Sequence, residues 1–237
     1  MKNQLDKILI IILITTFGFI FHHKYINEFP SHIHAWAQSD RYALSLGFTE
    51  NNFNFFKPQT FVLNHQFPDK WKVPSKSSVT SVDFPIHDYI SAILMKISGS
   101  KSPFIFRTYI LLYSFLGLFF LFRLSKTVTN DYFKSFFIVI IAATSPIYVY
   151  YQGGFLPSIP SLSNTIIALY FYYRYLKEDK KKLFWWSIMF LTLAALARTT
   201  FVIPLVAVIC VEFVRVLKKE TKPINKIAPL IISFTLI

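Results

Sequence analysis

All six histidines of this 237-residue chain, and six of its twelve acidic residues, fall between His22 and Pro103. The acids in that segment are Glu28, Asp40, Glu50, Asp69, Asp83 and Asp88. Asp40 is distinguished by its neighbours: Trp36 and Gln38, a ring and an amide suited to a polar, ring-shaped substrate, precede it, and Arg41 follows. A carboxylate so placed suits general-base removal of a proton from a hydroxyl. The histidines raise a metal reading, with His32 and His34 close together and His22, His23, His65 and His87 in the same segment. Residues two apart point the same way on a strand but not on a helix, and no Glu or Asp completes a recognised ligand spacing. A structural or substrate-binding role for the histidines is therefore expected ahead of metal ligation. Gly153-Gly154, close to Pro157, reads as a turn and not as a phosphate loop, and no Ser-His-Asp signature is evident.

The elements that must position these groups are membrane helices. The chain is 54% apolar, 19% aromatic and only 16% charged, too little polar surface to enclose one soluble core. Apolar runs predict spans over residues 5–26, 104–122, 136–151, 159–175, 183–197 and 201–216, with a shorter run at 227–237. The first run lacks a small-residue cleavage site and reads as an uncleaved helix, not an export signal. The last run is too short to cross, as expected of the N-terminal part of a longer protein or of a truncated remnant.

Net charge is +13, but the basic residues cluster beside the apolar runs instead of along one face, which argues against nucleic acid as partner. If Arg123, Lys126, Lys134, Arg174, Lys177, Lys180 to Lys182 and Arg215 face the cytoplasm, Lys2 and Lys7 fall on the same side. Residues 22–103 then form one large extracytoplasmic loop, and Gln152 to Ser158 and Arg198 to Thr200 are short outward corners. Trp185, Trp186 and the tyrosines at 148–151 and 170–175 read as interfacial anchors. Cys210 has no intrachain partner, so no disulfide framework exists.

Within the loop, a short helix is expected from Asp40 through Tyr42, Leu44, Leu46 and Phe48. A second is expected from Pro85 through Ile86, Ile90, Ile93, Leu94 and Ile97, with Asp83 near its cap. The second helix either lies flat on the outer leaflet, shaping a groove open to lipid, or packs on the bundle.

The segment Trp36-Ala37-Gln38-Ser39-Asp40-Arg41, followed by Asp83-Phe84-Pro85, Gly154-Phe155-Leu156-Pro157 and Leu193-Ala194-Ala195-Leu196-Ala197-Arg198-Thr199, resembles the N-terminal half of the GT-C membrane glycosyltransferases. The closest groups are the protein O-mannosyltransferase and lipid A aminoarabinose transferase families, and the resemblance covers essentially the whole chain. It implies an all-α polytopic helix bundle of GT-C type whose large first extracytoplasmic loop carries short amphipathic helices. It also implies an enzyme that moves a sugar from a polyprenyl-phosphate donor to an acceptor hydroxyl of a lipid, glycan or protein. Asp40 matches the catalytic acid of the first loop. Arg198 and Arg107, near the outer ends of spans, are expected at the donor phosphate, where developing charge needs a cation. His34, Trp36, Gln38, Arg41 and Asp83 are expected to bind substrate. The pattern differs at three points: relatives often pair two acids where Asp40-Arg41 stands, carry an acid at the position of Ser158, and carry a lysine at that of Arg198. No cofactor is fixed by the sequence, and a divalent metal at the leaving phosphate stays open. The expected location is the plasma membrane of a bacterium. The rival readings are a transporter of a lipid-linked solute and a noncatalytic membrane subunit.

Overall fold

The computed structural model describes residues 2–31, 33–60, 78–79, 82–219, 229–230 and 233. The chain is an all-α helical membrane protein. Its elements are α1 (Lys2–His22), α2 (Ala35–Glu50), β1 (Gln59–Thr60), β2 (Ser78–Val79), α3 (Ile86–Ser98), α4 (Pro103–Thr129), α5 (Tyr132–Thr144), α6 (Pro146–Gln152), α7 (Ser158–Glu178), α8 (Lys181–Ala197), a 3-10 turn (Thr199–Phe201) and α9 (Val202–Leu217). β1 and β2 form one two-residue antiparallel pair, Gln59 opposite Val79 and Thr60 opposite Ser78.

Local chemistry sets the boundaries. The Ser102 side chain accepts from Phe104 N at 3.2 Å with Pro103 in the first turn, so α4 starts where a missing N–H costs nothing. Asn130 and Asp179, both with left-handed φ, end α4 and α7, and Asp131 caps α5 by accepting from Lys134 N at 3.1 Å. α4, at 27 residues and about 1.5 Å per residue, outruns the expected 104–122 and projects past a hydrocarbon layer.

The expected span 136–151 is broken, because α5 and α6 meet at a 66° bend. Pro146 cannot donate an N–H and forces Ser145 into an extended conformation (φ −59°, ψ 125°). Among the described residues, Gln4–His22, Pro103–Thr129 and Thr199–Leu217 are long and apolar enough to cross a membrane, and the bent α5–α6 pair is a fourth candidate. α7 and α8 cover the expected 159–175 and 183–197 but fall outside that group. α8 has only 17 residues, and α7 carries Ser161, Ser163, Asn164 and Thr165 in its buried face. They share the most extensive helix interface, followed by α4 with α7. Of the run 227–237, only Pro229, Leu230 and Ser233 are described; they are helical, and the Ser233 and Thr192 hydroxyls are bonded at 2.8 Å.

Three packed clusters hold the chain. Ile10 and Ile14 of α1 meet Phe106, Ile110, Leu118 and Phe122 of α4, with Val139 and Ala143 of α5. Ala168, Tyr172, Phe184, Ile188, Leu191, Leu205 and Val208 join α7, α8 and α9. Leu44, Phe48 and Ala92, with Phe53, Val82 and Tyr89 beside them, give the large loop a core of its own. Gly47 lets this core close, because a Cβ there would lie 1.9 Å from the Gln59 carbonyl oxygen.

The loop helices depart from expectation in two ways. α2 begins at Ala35, placing Asp40 inside the helix instead of at its start. Pro85 is itself the cap residue of α3, with no side-chain cap from Asp83. α3 contacts α2 and α4 and buries His87, Asp88, Ser91, Ala92 and Met95, so it packs on the bundle.

Candidate functional site

The site is assembled at the end of the bundle where α1 finishes, α4 begins and α7 begins. α2 is fastened there on two sides, one through Gln38 and one through Arg41. The buried Gln38 amide donates to Ile33 O and to the Tyr150 hydroxyl, each at 3.3 Å, and its Oε1 accepts from Phe155 N at 3.4 Å. These bonds attach α2 to the segment between α6 and α7. On the other side, the Arg41 guanidinium forks between Asp83 at 3.3 Å and Asp88 at 3.2 Å. One turn further, Ser45 Oγ donates to Asp88 O at 2.9 Å.

Asp40 lies between these two attachments. Its carboxylate is half-buried and has neither an ion pair nor a hydrogen bond among the described residues. Burial raises its pKa above the ordinary 3.8, and the positive charge of Arg41 works against that rise. Asp88 is fully buried, and burial pushes it up to about 6 despite the charge and the hydrogen bond of Arg41. Burial raises both acids, but they differ in engagement: Asp88 is held by a cation, whereas Asp40 keeps its lone pairs open among the described residues.

Beside Asp40, Trp36 is two-thirds exposed and available for stacking (67%). His34 stands in the left-handed conformation (φ 58°) immediately before α2, its ring stacked on Tyr151 at 6.4 Å between centroids. Asp83 is partly exposed beside Arg41.

The two arginines expected at a phosphate are used differently. Arg107 donates to three backbone carbonyls, Glu28 at 2.9 Å, Phe29 at 3.4 Å and Gly153 at 2.6 Å, and its guanidinium lies 4.7 Å from the centre of the Phe155 ring. It ties the start of the large loop to the α6–α7 turn. Gly153 is needed in that turn, because a Cβ would come within 2.4 Å of His22 Nδ1. Arg198, the residue that ends α8, donates one N–H to the Ser158 hydroxyl at the start of α7. No other side-chain bond of Arg198 is made among the described residues, which leaves further guanidinium donors open. Ser158 and Phe155 belong to one short turn, so Asp40, through Gln38, and Arg198, through Ser158, are attached to the same four residues of chain.

An apolar groove of about 770 Å³ runs along α8 from Lys182 past Trp185, Met189 and Leu193 to Leu196, with Pro229 on its far wall. It ends two residues from Arg198.

The described histidines are dispersed. His22 faces Gln152, His23 bonds Phe19 O, and His87 is buried with Nδ1 2.7 Å from the Tyr109 hydroxyl. Burial lowers His87 to about 4, so the ring is neutral, and its Nε2 has no partner among the described residues. Among the described residues no group of three His, Cys, Asp or Glu could hold a metal ion. His32 and His65, which entered the metal reading, lie outside the described residues. Sequence reasoning did not find Tyr150, Asp88 or the partnership of Ser158 with Arg198, since each depends on contacts between residues far apart in the chain.

A family model described as dolichyl-phosphate-mannose-protein mannosyltransferase matches residues 80–237. The match includes Asp83, Arg107 and Arg198 and begins beyond Asp40. No curated protein and no solved structure matches the chain.

Proposed function

The chain belongs to the dolichyl-phosphate-mannose-protein mannosyltransferase family of GT-C membrane glycosyltransferases, and from that premise we propose that it transfers a sugar from a polyprenyl-phosphate donor to an acceptor hydroxyl on the extracytoplasmic face, with Asp40 as general base. The observation that carries this reading is Asp40 itself: a half-buried carboxylate of raised proton affinity, without a partner, beside an exposed Trp36. The acceptor oxygen attacks the anomeric carbon, its proton passes to Asp40, and the bond from that carbon to the phosphate oxygen breaks with its electrons on the leaving lipid phosphate. Arg198 offers unengaged N–H donors to that phosphate, the cationic stabilisation such a leaving group needs. The groove along α8, whose last lining residue on that helix is Leu196, two positions before Arg198 in the chain, is assigned to the polyprenyl tail, an apolar chain suited to its apolar walls.

Arg107 is assigned a positioning role, because its donors point at carbonyls and hold the large loop against the α6–α7 turn. Gln38 and Arg41 likewise fix α2, while His34, Trp36 and Asp83 line the approach to Asp40. In this reading six crossings, the third of them bent, carry the large loop outward, and the basic end of the bundle faces the cytoplasm of a bacterial plasma membrane.

Replacing Asp40 with asparagine preserves shape and removes the base. Transfer from a radiolabelled polyprenyl-phosphate sugar in membranes should fall by about 10²–10⁴-fold with the amount of inserted protein unchanged. Undiminished transfer removes Asp40 from the mechanism.

A further inference from the structure

The opposite end of the bundle holds a cavity of about 290 Å³ lined by Asp6, Lys7, Phe122, Arg123, Lys126 and Thr127. At ~30 Å³ per water, this is room for a hydrated phosphate group. Its charge is unbalanced. Lys126 bonds the Asp6 carboxylate at 2.5 Å, which occupies the one acid in the lining. Lys7 and Arg123 have no carboxylate partner among the described residues. The Arg123 guanidinium lies 4.8 Å from the centre of the Tyr170 ring and makes no side-chain hydrogen bond among the described residues, which leaves its N–H donors to an oxyanion.

The cavity is a side opening between the N-terminal turns of α1 and the C-terminal turns of α4, the two apolar helices that meet there through Asp6 and Lys126. Exposed apolar residues, Leu5, Ile8 and Leu9, continue from it along α1. A phosphate bound at this level would therefore have apolar surface directly above it, as a phospholipid headgroup does. We propose that this cavity is a binding site for a phosphate-bearing anion, the headgroup of an acidic phospholipid, held by Lys7 and Arg123 at the basic end of the bundle. It is separate from the transfer site and does not rest on the transferase reading.

The test uses the full chain in detergent, with retained lipid read by native mass spectrometry after addition of phosphatidylglycerol or phosphatidylcholine. Phosphatidylglycerol should be retained preferentially. The preference should drop about fivefold for each of Lys7→Gln and Arg123→Gln, the loss expected per basic group near anionic lipid, and Arg123→Lys should keep most of it. Lys134→Gln, which removes a charge 71% exposed outside the cavity, should leave the preference unchanged. An equal fall for Lys134→Gln would show diffuse surface attraction and overturn the site. Release of phosphatidylglycerol by millimolar inorganic phosphate would identify a soluble anion as the occupant and overturn the lipid assignment.

Discussion

Arg41→Met removes the cation that Asp83 and Asp88 share, and its consequences follow from the burial of one acid and the exposure of the other. Asp83 is open to water and loses at most the ~1 kcal/mol of a surface pair. Asp88 is fully buried, and Arg41 supplies both the charge and the hydrogen bond that keep its pKa as low as about 6. Without them the carboxyl rises further, toward the range of about 8–9 found for fully buried acids. In the native protein Asp88, at about 6, is ionised in both folded and unfolded chains once the pH is about one unit higher, so beyond that it adds no pH dependence. In the variant the folded state keeps a proton that the unfolded chain, with its ordinary 3.8, has released. Stability then falls as pH rises, by about 1.4 kcal/mol per unit, or roughly 2–3 kcal/mol between pH 6 and 8.

At pH 8 the folded variant still holds that proton, and holding it makes the variant about 2–3 kcal/mol less stable than the native protein. The assay is reversible unfolding in dodecyl maltoside micelles titrated with sodium dodecyl sulfate at both pH values. Arg41→Met combined with Asp88→Asn should lose the slope and recover most of the stability, since neither a charge nor an unmatched ion stays buried. An Arg41→Met deficit of the same size at pH 6 and 8, or a slope that survives Asp88→Asn, would refute the account of this cluster.

The transfer site gives sharper kinetic expectations. As a base, Asp40 must be ionised, so kcat/KM for transfer should rise with pH through a limb above the ordinary carboxylate value of 3.8, and a limb at or below that value contradicts the assignment. Arg198→Ala removes a charged hydrogen-bond donor worth about 1.5–3 kcal/mol, which should raise the donor KM by ten- to a hundredfold with the acceptor KM unchanged; an equal effect on both counts against phosphate contact. Gly153→Ala inserts a methyl into space filled by the His22 ring and should destabilise the fold by about 1–3 kcal/mol. Gly153→Ala and His22→Ala should then be strongly non-additive in the same unfolding assay, and simple additivity would show that the two residues do not meet.

Helix positions were largely legible in the sequence because apolar run length and basic flanks are local signals. Residues 104–122 lie within α4, and 201–216 follow the 3-10 turn at Phe201 into α9, for that reason. The break at Ser145-Pro146 was also written locally, but the apolar run continues through it and masks the change of direction. Spans over 159–175 and 183–197 were expected from their apolar runs, and the polar residues Ser161, Ser163, Asn164 and Ser187 that lower the hydropathy of α7 and α8 are buried inside the bundle. In the site, Asp40, Trp36 and Arg198 could be singled out by type and position. The role of Arg41 could not, because its partners are 42 and 47 residues away and only folding brings them to it. Arg107 illustrates the same limit: an arginine one turn into a helix suggests a phosphate ligand, whereas its carbonyl partners come from two separate loops.

In the proposed reading, the pairing of Arg41 also accounts for Asp40 serving as a base with an arginine as its sequence neighbour. A free guanidinium beside a carboxylate would stabilise the anion and lower its proton affinity, making it a poor acceptor for a hydroxyl proton. Here the guanidinium is drawn to the α3 side by two carboxylates, at 3.2 and 3.3 Å, and makes no bond to Asp40. Its charge is largely compensated there, so the effect of burial prevails at Asp40 and the pKa shift is upward. α2 therefore does two jobs that would conflict on a less constrained element. Gln38 and Arg41 fasten it to the bundle from either side, and the acid between them is left with its lone pairs open beside the exposed ring of Trp36.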